Sequence, residues 1–153
     1  MKCCRCYEYP VGPVGIAEAD GRIVSIFFWE LPPLCFEDRE TPLIKRAAGQ
    51  LTEYFGGKRR VFDLPLEFNG TDFQKKVWAA LMTIPYGETR SYGEIARQIG
   101  NPNASRAVGM ANHRNPIVIV CPCHRVVGSD GSLTGYGGGL RNKEYLLKLE
   151  GGK

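Results

Sequence analysis

The sequence predicts an α+β fold in two parts: a small N-terminal α/β subdomain with a short β-sheet, and a mostly helical C-terminal subdomain with a helix-turn-helix. Apolar segments flanking a turn dipeptide occupy the first part, whereas capping-box sequences open helices in the second. Charge divides in the same way, since residues 1–70 carry nine Lys/Arg against ten Asp/Glu and residues 71–153 carry eleven against six. We place the boundary near Asn69-Gly70, which gives domains 1–69 and 70–153.

The first domain is predicted to contain a β-hairpin and a helix. Residues 14–19 and 23–29 flank Asp20-Gly21, a two-residue turn sequence. Thr41-Pro42 supplies an N-cap and a proline at the first helical position, and Gly56-Gly57 ends the helix. Its apolar residues recur at helical spacing: Leu43, Ile44, Ala47, Ala48, Leu51 and Phe55. Residues 61–68 are a candidate further strand.

Capping boxes predict two helix starts in the second domain. Thr71 is followed three residues later by Gln74, and Ser91 by Glu94. A last helix is predicted from Leu140 to about Glu150. Its expected core residues are Tyr145, Leu146 and Leu149.

A helix-turn-helix is predicted around Gly100, which ends one short helix. Asn103 is the candidate cap of the next helix, from 104 to about 112. That second helix carries Arg106, a basic exit at His113-Arg114 and several small residues: Ala104, Ala107, Gly109 and Ala111. Small residues let a helix approach a duplex closely, and an arginine can probe the base stack from the minor groove. Paired short helices also occur in proteins that do not bind DNA, so the pattern alone leaves this open.

A candidate nucleophile, Cys123, follows the apolar run 117–120, which we predict to be a buried strand. A thiol attacks as the thiolate, so it needs a base or a positive charge nearby; His124 and Arg125 are candidates. Neighbouring residues on a strand point to opposite faces, so Cys123 and His124 can cooperate only if Pro122 ends the strand. A buried structural cysteine is the alternative.

Sequence motifs extend on both sides of this cysteine, in one order along the chain. They are Phe73-Gln74-Lys75-Lys76-Val77-Trp78, Pro85-Tyr86-Gly87, Ser91-Tyr92, Ser105-Arg106-Ala107-Val108-Gly109, Asn115-Pro116, Pro122-Cys123-His124-Arg125-Val126, Gly135-Tyr136, Gly138-Gly139-Leu140 and Lys143-Glu144-Tyr145-Leu146-Leu147. From about Gly70 to Gly151 the chain resembles the O6-alkylguanine-DNA alkyltransferases, also called methylated-DNA–protein-cysteine methyltransferases. The first 65 or so residues resemble the family only loosely, as its RNase H-like N-terminal domain.

The resemblance implies a DNA-repair enzyme that transfers an alkyl group directly and irreversibly from O6-alkylguanine to Cys123. O4-alkylthymine is a further candidate substrate. His124 would draw the proton from Cys123 through an ordered water, Glu144 would orient His124, and Asn115 would be the hinge that ties the recognition helix to the acceptor segment. Each molecule would act once, because a thioether is a poor leaving group. No metal or organic cofactor is expected.

The resemblance also implies how DNA is bound. Arg106 would enter the stack and fill the gap left by an extruded nucleotide, while Tyr92 would help rotate that nucleotide and hydrogen-bond its base. The other expected contacts to DNA or the base are Ser105, Asn112, Arg114, Arg125, Val126, Tyr136 and Gly137. The expected partner is double-stranded DNA with the lesion, bound through its minor groove by a monomer.

Two other functions stay open on the residues. A non-catalytic protein that binds alkylated DNA would normally lack the acceptor, so Cys123 argues against it. A helix-turn-helix regulator would need a dimer face or an effector domain, and residues 1–65 show no clear sign of either.

The sequence contains no apolar stretch of 18 or more residues and no hydrophobic signal region, so we expect a cytoplasmic protein without a membrane partner. Cysteines in that compartment are mostly reduced. Four of them could bind a metal or oxidise: Cys3, Cys4, Cys6 and Cys35.

Overall fold

The computed structural model describes residues 2–28, 36–133, 136 and 139–151. The chain forms two compact units, Met1–Phe68 and Asn69–Lys153. Among the described residues, the first unit holds a β-sheet and one α-helix, and the second holds four α-helices, which confirms the predicted α+β class. Within the described ranges, no helix is long and apolar enough to span a bilayer.

The described part of the first unit contains a four-stranded sheet in the order β3-β2-β1-β4. The strands are β1 (Lys2–Tyr9), β2 (Gly12–Ala19), β3 (Arg22–Phe28) and β4 (Glu37–Asp38). β2 is antiparallel to both β1 and β3, whereas β4 runs parallel to β1. Strand β1 was not predicted, because its mixture of cysteine and charged residues lacks a strand-like apolar alternation.

The predicted hairpin is β2–β3. Asp20 (φ 51°) and Gly21 (φ 79°) form its turn, and positive φ at both central residues is what a tight hairpin needs to match the twist of its strands. Trp29, the last residue of the predicted second strand, lies outside the described residues.

Helix α1 (Pro42–Phe55) packs against β1, β2 and β3. Its N-cap is the predicted one, since Oγ1 of Thr41 accepts the backbone N–H of Ile44 at 3.1 Å. The face towards the sheet includes Ile44, Ala47, Leu51 and Tyr54, all buried.

Residues 61–68 do not form the candidate strand. The buried amide of Gln50 holds this segment, because Nε2 donates to the carbonyl oxygen of Asp63 (3.0 Å) and Oε1 accepts the N–H of Asp63 (2.9 Å). Among the described residues, the segment joins the sheet only through an isolated bridge from Leu66 to Ile23. Hydrogen bonds from the Gln50 side chain therefore hold this segment where a strand would use backbone hydrogen bonds to a neighbouring strand.

In the second unit, three helices pack against one another: α2 (Asp72–Leu81), α3 (Tyr92–Gln98) and α4 (Ser105–His113). Both predicted capping boxes form. The indole N–H of Trp78 donates to the carbonyl oxygen of Ala111 at 2.9 Å, which fixes α2 to α4. Strands β5 (Arg90–Ser91) and β6 (Val126–Val127) pair in parallel, and α5 (Leu140–Leu149) follows.

The turn between α3 and α4 differs from prediction in one detail. Gly100 adopts φ 81°, which suits the residue that ends a helix. The N-cap of α4 is Ala104, without a side-chain cap, rather than Asn103. The backbone N–H of Ala104 donates to Asn101, so Asn103 lies inside a turn one residue too early to cap the helix.

Candidate active site

Residues 117–123, the acceptor segment that leads to and includes Cys123, are buried except for the half-buried Val118, but they do not form the strand that we predicted. The N–H of Val120 donates to the carbonyl oxygen of Val118 at 2.8 Å, and Ile119 between them adopts φ 71°. Positive φ in a β-branched residue is strained by about 1–3 kcal/mol. Local turns, rather than a ladder, therefore satisfy this backbone.

Pro122 begins a second turn, which places the thiol. Its φ of −81° and ψ of 65° form an inverse γ-turn, in which the N–H of Cys123 donates to the carbonyl oxygen of Cys121 at 2.8 Å. Cys123–Arg125 then form a 3-10 turn that packs against α2 and α5. Because this backbone is turned, Cys123 and His124 are not held on opposite faces of a strand.

The amide of Asn115 joins the end of α4 to the acceptor segment. Its Nδ2 donates to the carbonyl oxygen of Cys121 at 2.7 Å, and its Oδ1 accepts the N–H of Ile117 at 3.0 Å. One buried side chain thus ties together both ends of the turned segment.

Cys123 is 2% exposed. Burial raises its pKa, while hydrogen bonding with Asn115, the charge of Lys143 and hydrogen bonding with Tyr136 offset part of that rise. The free protein therefore holds a thiol that is protonated at neutral pH and that needs a base before it can attack.

His124 and Glu150 form a buried pair, with Nε2 of His124 2.8 Å from Oε2 of Glu150. Burial would raise the pKa of Glu150, but hydrogen bonds from His124 and Arg125 outweigh it and lower that pKa to about 2. Burial lowers the pKa of His124, although Glu150 opposes this. At neutral pH the carboxylate is ionised and the imidazole is neutral.

This ionisation state fixes the tautomer of His124. A carboxylate only accepts hydrogen bonds, so Nε2 carries the proton and Nδ1 carries the lone pair. Nδ1 is buried and has no hydrogen-bond partner among the described residues. The imidazole thus has one nitrogen anchored and the other ready to take a proton.

Arg125 anchors the same carboxylate. Its Nε and a terminal nitrogen lie 2.8 and 2.9 Å from the two oxygens of Glu150, and its other terminal nitrogen donates to the carbonyl oxygen of Ile84 at 2.7 Å. The guanidinium also lies over the ring of Tyr86. The expectation that Arg125 contacts DNA is therefore wrong, because its charge is used inside the protein.

Glu144 is not the residue that orients His124. Its carboxylate is on the surface, paired with Lys148 one helical turn later at 2.8 Å. Glu150, at the end of α5, takes the role that we expected of Glu144. The reason is helical phase, because six residues rotate a side chain roughly 240° around the axis.

Lys143 was not predicted to belong to the site, yet its Nζ donates to the carbonyl oxygen of Val126 from a buried position. Burial lowers its pKa to about 8, while Cys123 acts to raise it. The missed signal was periodicity: one face of α5 carries Lys143, Leu146, Leu147 and Glu150 at helical spacing, and all four are buried. Tyr145, expected in the core, is 38% exposed because it lies off this face.

The exposed side of α4 carries Arg106, Ala107 and Met110. A Cβ added at Gly109 would lie 3.8 Å from the ring of Tyr92, so the half-buried tyrosine packs beside this helix. Arg106 has no ion-pair partner among the residues that the structure describes. This surface therefore presents a positive charge, without an ion-pair partner among the described residues, beside the small Ala107 and the exposed Met110.

The remaining expected contacts lie in different surroundings. Ser105 is half-buried, Arg114 is exposed, and Asn112, Val126 and Tyr136 are buried. Gly137 and Cys35 lie outside the described residues. Within the described ranges, no three potential metal ligands are grouped together, and the cysteines there are free thiols.

Comparison with known families matches both units. Residues 72–152 match the family described as 6-O-methylguanine DNA methyltransferase, DNA binding domain. Residues 2–68 match the ribonuclease-like domain of the same family.

Individual relatives are similar over nearly the whole chain. A Methanosarcina acetivorans protein named methylated-DNA--protein-cysteine methyltransferase is 52% identical over 151 residues, covering 95% of this chain and 96% of the relative. A Mycobacterium tuberculosis protein of the same name is 50% identical over 149 residues, covering 95% of this chain and 90% of the relative.

Solved structures are equally similar. The M. tuberculosis O6-methylguanine methyltransferase superposes with a TM-score of 0.91 at 47% identity, covering 98% of this chain and 93% of that one. M. tuberculosis OGT in complex with DNA gives a TM-score of 0.90 at 49% identity, covering 96% and 91%.

Proposed function

The chain belongs to the 6-O-methylguanine DNA methyltransferase family, and from this we propose that it repairs DNA by moving the alkyl group of O6-alkylguanine onto the sulfur of Cys123. The name shared by its relatives supports the reaction class, and the similar structure in complex with DNA supports DNA as the partner. The observation that carries the assignment to Cys123 is the adjacent buried network of His124, Glu150 and Arg125.

Deprotonation of Cys123 is the first step. Because the side chain of Glu150 holds Nε2–H of His124, Nδ1 is the basic atom. The thiol and the imidazole share no direct hydrogen bond among the described residues, so a bridging water relays the proton. The ammonium of Lys143 then stabilises the thiolate that forms.

Transfer is an SN2-like displacement. The thiolate attacks the alkyl carbon, the S–C bond forms and the C–O6 bond breaks. The bonding pair stays with guanine, which takes up one proton, and we propose the hydroxyl of Tyr92 as its donor. Thiol and O6-alkylguanine thus become thioether and guanine. A thioether is a poor leaving group, so each molecule reacts once.

Extrusion of the nucleotide must precede this chemistry, because O6 of guanine cannot reach a protein sulfur from within the duplex stack. Arg106 is the candidate for the space that the base leaves, since it extends from the exposed side of α4. The small side chain of the exposed Ala107, next to Arg106, leaves room for the helix to approach the minor groove. We propose that the protein binds the duplex there as a monomer.

Intact mass spectrometry tests the function. After incubation with an O6-methylguanine duplex, the protein should gain the mass of one methyl group, and peptide mapping should place it on Cys123. Cys123→Ser should bind the duplex without a mass gain, whereas Cys121→Ala, a change to the neighbouring thiol, should still be alkylated.

The two other function classes give different results in the same assay. A lesion-binding protein would bind the modified duplex and keep its mass. A helix-turn-helix regulator would bind modified and unmodified duplexes alike. A methyl group found on any other side chain would overturn the assignment of Cys123.

A further inference from the structure

Asn112 places a buried acceptor next to the nucleophile. The residue lies on α4 and is 2% exposed. Its Nδ2 donates to the carbonyl oxygen of Cys123 at 3.3 Å. Its Oδ1 is buried and has no hydrogen-bond partner among the described residues.

The orientation of this amide follows from its partner. The carbonyl of Cys123 is an acceptor, so the NH₂ group of Asn112 must face it. Oδ1 then points elsewhere within the same buried space. A buried acceptor without a donor carries a free-energy penalty that an apolar side chain of similar size would avoid. The penalty is removed if a donor arrives with the substrate.

The chemistry of the lesion identifies that donor. In guanine, O6 and the 2-amino group flank N1 on one edge of the base. Alkylation of O6 leaves N1 without its proton, so the 2-amino group is the only donor left on this edge. A base whose O6 substituent faces the sulfur of Cys123 brings that amine close to the backbone of the same residue, where Asn112 lies.

We propose that Oδ1 of Asn112 accepts a hydrogen bond from the 2-amino group of the extruded O6-alkylguanine and so selects guanine lesions. This inference rests on the proposed function of Cys123. It also gives a reason to disfavour O4-alkylthymine, whose corresponding edge carries no donor. Asn112 is a specificity residue in this account, because it touches the base and not the reacting carbon.

Single-turnover rates on two duplexes test the proposal. One duplex carries O6-methylguanine and the other O6-methylhypoxanthine, which differs only by lacking the 2-amino group. The native protein should react about 10-fold more slowly with O6-methylhypoxanthine. In Asn112→Leu, which has similar size and no acceptor, the two rates should become nearly equal, mainly through a slower reaction with O6-methylguanine.

Asn112→Ser provides a second variant with a smaller side chain, and it carries the test if Asn112→Leu does not fold. Native rates that are equal for the two lesions would overturn the proposal. So would a rate ratio that is the same in the native protein and the variants, as expected if water alone satisfies Oδ1. In both cases methyl transfer to Cys123 continues. If Cys123 of the native protein gains a methyl group from neither duplex, the proposed function itself is wrong.

Discussion

Nε2 of His124 lies 2.8 Å from a carboxylate oxygen of Glu150, and the same carboxylate binds the guanidinium of Arg125 through both oxygens. All three side chains are buried. Burial keeps the imidazole neutral, and the hydrogen bond to Glu150 defines its tautomer beside Cys123. The two glutamates of this helical segment therefore differ. Glu150 is buried against His124 and Arg125, whereas Glu144 is paired on the surface with Lys148.

Glu150→Gln should slow methyl transfer on the order of 10-fold or more, because a neutral amide no longer stabilises the imidazolium that forms when His124 takes the proton. The measurement is the single-turnover rate on an O6-methylguanine duplex at neutral pH. Glu144→Gln is the matched control and should stay within about 2-fold, as its side chain is exposed. Equal losses in both variants would contradict the role of Glu150.

Stability should fall in acid because of the same carboxylate. The pKa of Glu150 is about 2 in the folded protein against an ordinary 4.5. A lowered folded-state pKa contributes stability that is present above pH 4.5 and is lost as the pH falls towards 2, by about 3 kcal/mol in total. The pKa of His124 is also lowered, so the need to charge this buried residue adds to the loss in acid.

Denaturant unfolding as a function of pH measures this contribution. Between pH 4.5 and 2 the stability of Glu150→Gln should change less steeply than that of the native protein, because the variant has no carboxylate at this position. Glu144→Gln should keep the native slope. A native slope in Glu150→Gln would show that other groups dominate acid unfolding.

Lys143→Gln should move the titration of Cys123 to higher pH. The ammonium lowers the pKa of this thiol, whereas burial raises it. Without the ammonium, the pKa of Cys123 should therefore rise further. The pH dependence of iodoacetamide labelling, quantified on the Cys123 peptide, reports the shift. Lys148→Gln is the control, because Lys148 is exposed and pairs with Glu144. The interpretation fails if both lysine variants titrate like the native protein.

Arg106→Ala should slow transfer from duplex DNA about 10-fold or more while preserving reaction with free O6-methylguanine base. The reason is that Arg106 acts on the stack and not on the sulfur, and only the duplex requires extrusion. Arg141→Ala, an exposed arginine on α5, is the control. Equal losses on duplex and free base would show that Arg106 supports the pocket instead.

Helix starts were predictable because their signals are local. Thr71 and Ser91 bond to residues three positions later, so the spacing alone reveals the caps. Asn103 shows the limit of this reasoning, since a turn one residue longer moves the cap to Ala104. Strand β1 was not predicted because a segment rich in cysteine and charged residues has little apolar alternation. Its strand conformation depends on pairing with β2 and β4.

Contiguous motifs and short-range spacing were enough to predict the family, the α+β class and the candidate acceptor Cys123 with its neighbour His124. The packing of α5 was needed to show that Glu150 and not Glu144 contacts His124, that Arg125 points inward, and that Lys143 is buried. His124 and Glu150 are 26 residues apart. Their contact exists because α5 packs one particular face against the 3-10 turn, and that choice of face depends on the summed packing of Leu146 and Leu147.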